Sequence, residues 1–284
     1  MTTGSAARRR HVNRTDRANR SRTANPPHAL NALAVAGFVA RGVTYALIGV
    51  LALAIAFGKA APEADRTGAL QAVGAQPFGT ILLWLLVIGF AAMALWRLAQ
   101  AGYGVDGTGH HGAAEAQAAA RGVIYAVFAF GTFEFVHRNK LPQSTNQQSQ
   151  DFTSTAMAHS GGRILVGIVA VVIVGIGLYM IHNGLTRAFL KDLRFAGASR
   201  KTRETVERLG MIGNTARGVV FAAVGVFMVV AAVRFDPARA KGIDATLRSF
   251  AHTPLGPWLL AVVAVGLFLF GVYSMCEAKW HRSV

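Results

Sequence analysis

The sequence predicts an all-α integral membrane fold, with six transmembrane helices built as three parallel tandem two-helix repeats around a pseudo-threefold axis. Three observations lead there. Long apolar stretches recur along the chain, one short motif appears three times, and basic residues gather in alternate connections.

Hydrophobic residues make up 53% of the 284 positions and charged residues only 15%. The stretches 42–58, 79–96, 164–181, 218–233 and 255–275 hold almost no ionisable group, and 116–136 is a weaker sixth. A helix needs about 20 apolar residues to cross the hydrocarbon layer, whereas a soluble core helix is shorter and keeps a polar face. Barrel strands would alternate apolar and polar side chains, and runs such as LWLLVIGFAAMALW do not alternate. The first stretch is also too long for the apolar region of a cleaved signal peptide.

Charge sets the expected orientation. With six spans and a cytoplasmic N-terminus, 20 Lys and Arg fall inside and 9 outside, while the acids divide 7 and 6. The net +16 is thus placed as the positive-inside rule requires, giving a multi-pass plasma-membrane protein with N-in and C-in topology. This placement disfavours nucleic acid as a partner. Membrane lipids, with anionic headgroups at the cytoplasmic face, are the expected partners. Residues 1–28 carry seven arginines and one acid, and are expected to form a disordered cytoplasmic tail on that face.

The repeat is legible by self-comparison. Ala40-Arg41-Gly42-Val43-Thr44-Tyr45-Ala46 returns as Ala120-Arg121-Gly122-Val123-Ile124-Tyr125-Ala126 and as Ala216-Arg217-Gly218-Val219-Val220-Phe221-Ala222. The second helices also correspond: Gly79, Gly162 and Gly256 begin them, followed by Trp96, Tyr179 and Tyr273, then Gln100, Asn183 and Glu277. The expected units are residues 29–104, residues 105–190, and residues 191–284, which include a basic linker. The second copy departs from the others through its Ala/Gln-rich approach (112–120) and a polar insertion, Gln143 to Gln150.

This triple A-R-G-V-x-[YF] hairpin resembles an actinobacterial membrane protein family of unknown function, domain of unknown function 1206. The resemblance covers roughly residues 30–280 and implies a six-helix plasma-membrane protein. It implies no activity.

The repeated residues suggest distinct roles. Gly42, Ala46 and Gly49 form one small-residue stripe, matched by Gly122, Ala126 and Ala129 and by Gly218, Ala222 and Gly225; such stripes serve close helix packing in lipid. Arg41, Arg121 and Arg217 are expected at the cytoplasmic starts of the odd helices. There they would anchor at lipid phosphates, with Tyr45, Tyr125 and Phe221 beside them. An anion-binding ring is the alternative. A third option pairs them with Gln100, Asn183 and Glu277, with Glu277 expected level with Arg217. In the outer loops, Leu70 to Pro77 and Leu247 to Pro254 read as short helices lying on the outer leaflet.

No catalytic constellation emerges, so no enzymatic role, cofactor or metal is expected. His110-His111 lacks a third ligand, His182 is isolated, and Glu134 reads as an interfacial acid. Cys276 is the sole cysteine, which excludes an intramolecular disulfide and reads as a small buried residue. The preferred function is a non-enzymatic scaffold or accessory subunit of a membrane assembly, with a membrane-protein partner not specified. The alternative is a small-solute or lipid transporter or channel.

Overall fold

A computed structural model of the chain describes residues 28–103, 112–251 and 255–281. The basic tail, His110-His111 and Pro254 lie outside the described residues. Six helices are long and apolar enough to cross a membrane. They are α1 (His28–Ala56), α3 (Gly79–Tyr103), α4 (Gly112–Arg138), α6 (Gly162–Leu185), α7 (Arg200–Arg234) and α9 (Gly256–Trp280). Three shorter helices join them as hairpins: α2 (Arg66–Gly74), α5 (Thr145–Met157) and α8 (Ile243–Ala251). A 3₁₀ turn, Ala188–Asp192, lies in the connection between α6 and α7.

The first long helix of each repeat, α1, α4 and α7, begins well before the signature motif. Ser199 caps α7 by accepting from Thr202 N at 3.2 Å, so this helix runs 35 residues and its first turns are polar. In α1 the signature arginine stands about three and a half turns from the helix start. Arg41, Arg121 and Arg217 therefore lie inside their helices, not at the ends where the sequence placed them.

Packing follows the repeats in a cyclic order. The second helix of each repeat lies on the first helix of the next: α3 on α4, α6 on α7, and α9 back on α1. Within repeats, α1 packs on α3 and α7 on α9, but α4 and α6 make no comparable contact. The cycle thus has one open seam, in the second repeat. Burial reflects it: half of the apolar window is buried in α1 (50%) and α9 (50%), against 11% in α4 and 17% in α6.

The short helices α2 and α8, expected on the outer leaflet, turn apolar residues into the bundle. Leu70 of α2 and Leu247 of α8 are buried in separate core clusters of the bundle. The polar insertion of the second repeat is itself a helix. Ser144 caps α5 in a capping box with Gln147, which satisfies two backbone donors that would otherwise be orphaned.

Candidate functional site

Across the hairpin end, the three short helices are tied into a closed circuit of hydrogen bonds. Asp65 caps α2, accepting from Gly68 N at 3.0 Å. Its other oxygen accepts from Thr145 N at 2.8 Å and Thr145 Oγ1 at 2.9 Å. The same hydroxyl accepts from Ile243 N at 3.0 Å, and Asn146 Oδ1 accepts from Gly242 N at 2.9 Å. Asp244 returns the circuit to the first repeat by accepting from Ala64 N at 2.7 Å. Asp65 is fully buried, so these partners replace the water it has lost. Burial and the nearby Asp65 hold the Glu63 carboxyl above its usual range. Burial also brings Arg66 down to about 10, so it remains charged at neutral pH while donating to Phe128 O at 3.3 Å.

At the opposite end, the signature arginines take three different environments. Arg41 is buried between the first and third repeats. Its Nε donates to Ser274 Oγ at 2.8 Å and its terminal nitrogen to Glu277 Oε2 at 2.5 Å. Ser274 Oγ in turn donates to Phe38 O at 2.9 Å. The guanidinium also lies 4.9 Å from the Phe38 ring centroid and 5.4 Å from that of Phe270. Glu277, expected beside Arg217 of its own repeat, therefore pairs with Arg41. The cause is the packing order: α9 lies along α1, and a pairing read within one repeat misses a partner in the next.

Arg217 is partly buried among aromatic rings, 5.1 Å from Tyr45, 5.4 Å from Phe221 and 4.9 Å from Phe270. Its Nε is buried with no hydrogen-bond partner among the described residues. Arg121 is exposed, and the charges of Arg217 and Arg41 act unfavourably on it. A fourth arginine joins them. Arg97 donates to Gln100 Oε1 at 3.0 Å and is repelled by Arg121 and Arg41. The repeat did not single it out, since Met180 and Ser274 stand at the matching positions; an arginine inside an apolar span was the available signal. Asn183 Oδ1 is buried without a partner among the described residues. Tyr125 stacks on Phe90 of α3, with centroids 6.3 Å apart.

The small-residue stripes face the preceding repeat's second helix. A Cβ at Gly42 would meet Gly271 O at 2.8 Å, one at Gly122 would meet Leu98 at 2.8 Å, and one at Gly218 would meet Gly177 O at 2.8 Å. At Gly42 and Gly218 the neighbour is backbone, which cannot retreat, whereas at Gly122 it is the Leu98 side chain.

Between the arginines and the hairpin end lies a recess of about 340 Å³. Val169 and Ile173 of α6, Phe221, Val224 and Met228 of α7, and Phe152 of α5 line it. Phe221 joins the two features, since its ring forms part of the recess and also faces the Arg217 guanidinium. Elsewhere the remaining candidates are ordinary: His182 is exposed, Glu134 pairs with Arg138 at 3.5 Å, and Cys276 is half-buried. Among the described residues, no three of His, Cys, Asp and Glu converge as metal ligands would.

A Bacillus subtilis (strain 168) protein described as uncharacterized, YxxB, is 27% identical to this chain over 252 residues, covering 87% of this chain and 89% of its own length. No solved structure matches the chain. The family model described as Domain of Unknown Function (DUF1206) matches three times, over 36–104, 116–187 and 212–281, one match to each hairpin repeat. By that triple match, the chain belongs to the family defined by this domain of unknown function.

Proposed function

We propose that this chain is a non-enzymatic scaffold or accessory subunit of the plasma membrane, with both termini cytoplasmic, and that it holds a membrane component instead of passing a solute. The supporting observation is the hydrogen-bond circuit through Asp65, Thr145, Ile243, Asp244 and Ala64. It ties all three hairpins at one end, while the seam between α4 and α6 leaves the bundle open sideways. A frame closed at one end and open to lipid suits retention. The 20-to-9 division of basic residues supports the orientation.

The alternative, a small-solute or lipid transporter, draws on the recess and the arginines. It would require the circuit to part during each cycle. Proteoliposomes distinguish the two. The scaffold reading expects no chloride or phosphate flux above empty vesicles, from either the intact chain or Thr145→Val. Flux that rises in Thr145→Val, or that is already present in the intact chain, would show a gated path and sink the reading.

A further inference from the structure

We propose that the seam between α4 and α6 seats one anionic phospholipid, with its phosphate held by Arg121 and Arg217 and one acyl chain in the recess along Val169, Ile173, Val224 and Met228. This rests on the scaffold reading and names what the frame holds.

Charge is the first ground. Arg121 is repelled by Arg217 and Arg41, and Arg97 by Arg121 and Arg41. Among the described residues, Glu277 is paired with Arg41 and Asp192 attracts Arg121. Like charges gathered beside an apolar interior are costly unless an anion joins them. A phosphate diester carries one negative charge and several acceptor oxygens, and guanidinium matches it as a planar multiple donor. The buried, unpartnered Nε of Arg217 is an independent sign that a hydrogen-bond acceptor belongs there.

Shape is the second ground. A free inorganic anion would not need the apolar recess that begins at Phe221, directly against Arg217. An amphiphile satisfies both parts at once. The recess lies in the size range of small-ligand sites and is walled mainly by apolar side chains, so it takes a single chain. Entry needs no opening step. α4 and α6 do not pack on each other, and Arg121 on α4 is exposed. The order along the helices also fits a lipid, since the arginines lie on the terminal side of the apolar recess, which runs toward the hairpins.

The test uses the full chain in nanodiscs and native mass spectrometry, with phosphatidylglycerol and phosphatidylcholine of matched acyl length as probes. The intact chain should retain one phosphatidylglycerol about tenfold more strongly than phosphatidylcholine. Arg121→Gln and Arg217→Gln should each cut that preference several-fold. Val224→Trp, which fills the recess and spares the arginines, should weaken retention of both lipids. Because Arg121 is exposed, Arg121→Gln keeps the test sound if the Arg217 variant fails to fold. Equal retention of the two lipids, an unchanged preference in Arg121→Gln, or full displacement by inorganic phosphate would overturn the proposal. Solute flux alongside selective lipid retention would sink the scaffold reading alone. Loss of selectivity without flux would sink only the lipid site.

Discussion

Arg41 binds through two different nitrogens, one to Ser274 and one to Glu277, and stacks near Phe38 and Phe270 at the same time. Lysine offers one compact ammonium and cannot reproduce that fork. Arg41→Lys should therefore destabilise the detergent-solubilised protein by about 2 kcal/mol. Arg121→Lys, at an exposed position, should stay within about 0.5 kcal/mol. Thermal unfolding of both variants checks the contrast. The sequence pattern treats the three arginines as equivalent anchors, and by that pattern lysine would serve at each. Their environments differ because their neighbours on the preceding second helix differ: Ser274 and Glu277 beside Arg41, but Leu98 beside Gly122. A second prediction concerns Glu63. Its folded-state carboxyl is raised by burial and by Asp65, so the charged form is disfavoured in the folded protein. The resulting penalty is present at neutral pH and disappears as pH falls below the unfolded value of about 4.3. Glu63→Gln should thus raise the melting temperature slightly at pH 7 and leave it unchanged near pH 4. A fall at pH 7 would contradict this.

Helices are where the sequence was most legible. Apolar length located all six spans, and the matched motif located the repeats, because both signals are local and periodic. The start of α7 was not legible from apolarity. Ser199 and the polar residues after it form helix through capping and propensity, and those signals carry no hydropathy. α5 was read as an inserted loop for the same reason. Glycine supplies a sharp test at this scale. A Cβ on Gly177 would strike Ala222 Cα at 2.7 Å across the α6–α7 contact, whereas one on Gly175, two residues earlier, would meet nothing within 4 Å. Gly177→Ala should cost about 2 kcal/mol and Gly175→Ala within about 0.5 kcal/mol. Equal effects in a thermal-shift comparison would mean that α6 does not pack on α7 through this face.

Across the whole molecule, the decisive contacts join residues that no local signal connects. Asp65, Thr145 and Asp244 come from three dissimilar loops, and only the folded bundle makes them one circuit. Arg41 and Glu277 are separated by 236 positions and belong to the first and third repeats. That ion pair seals the return of α9 onto α1, which joins the first and third repeats in a row of long helices left open between α4 and α6. A double-mutant cycle on Arg41→Leu and Glu277→Leu measures this closure most directly. Either single change strands a buried charge and should cost about 3 kcal/mol or more. The double change removes both charges, so the two losses should not add, and the coupling should be about 2 kcal/mol. A coupling indistinguishable from zero, with the two losses simply summing, would mean that the first and third repeats do not meet at this pair and that α9 does not return onto α1 as described.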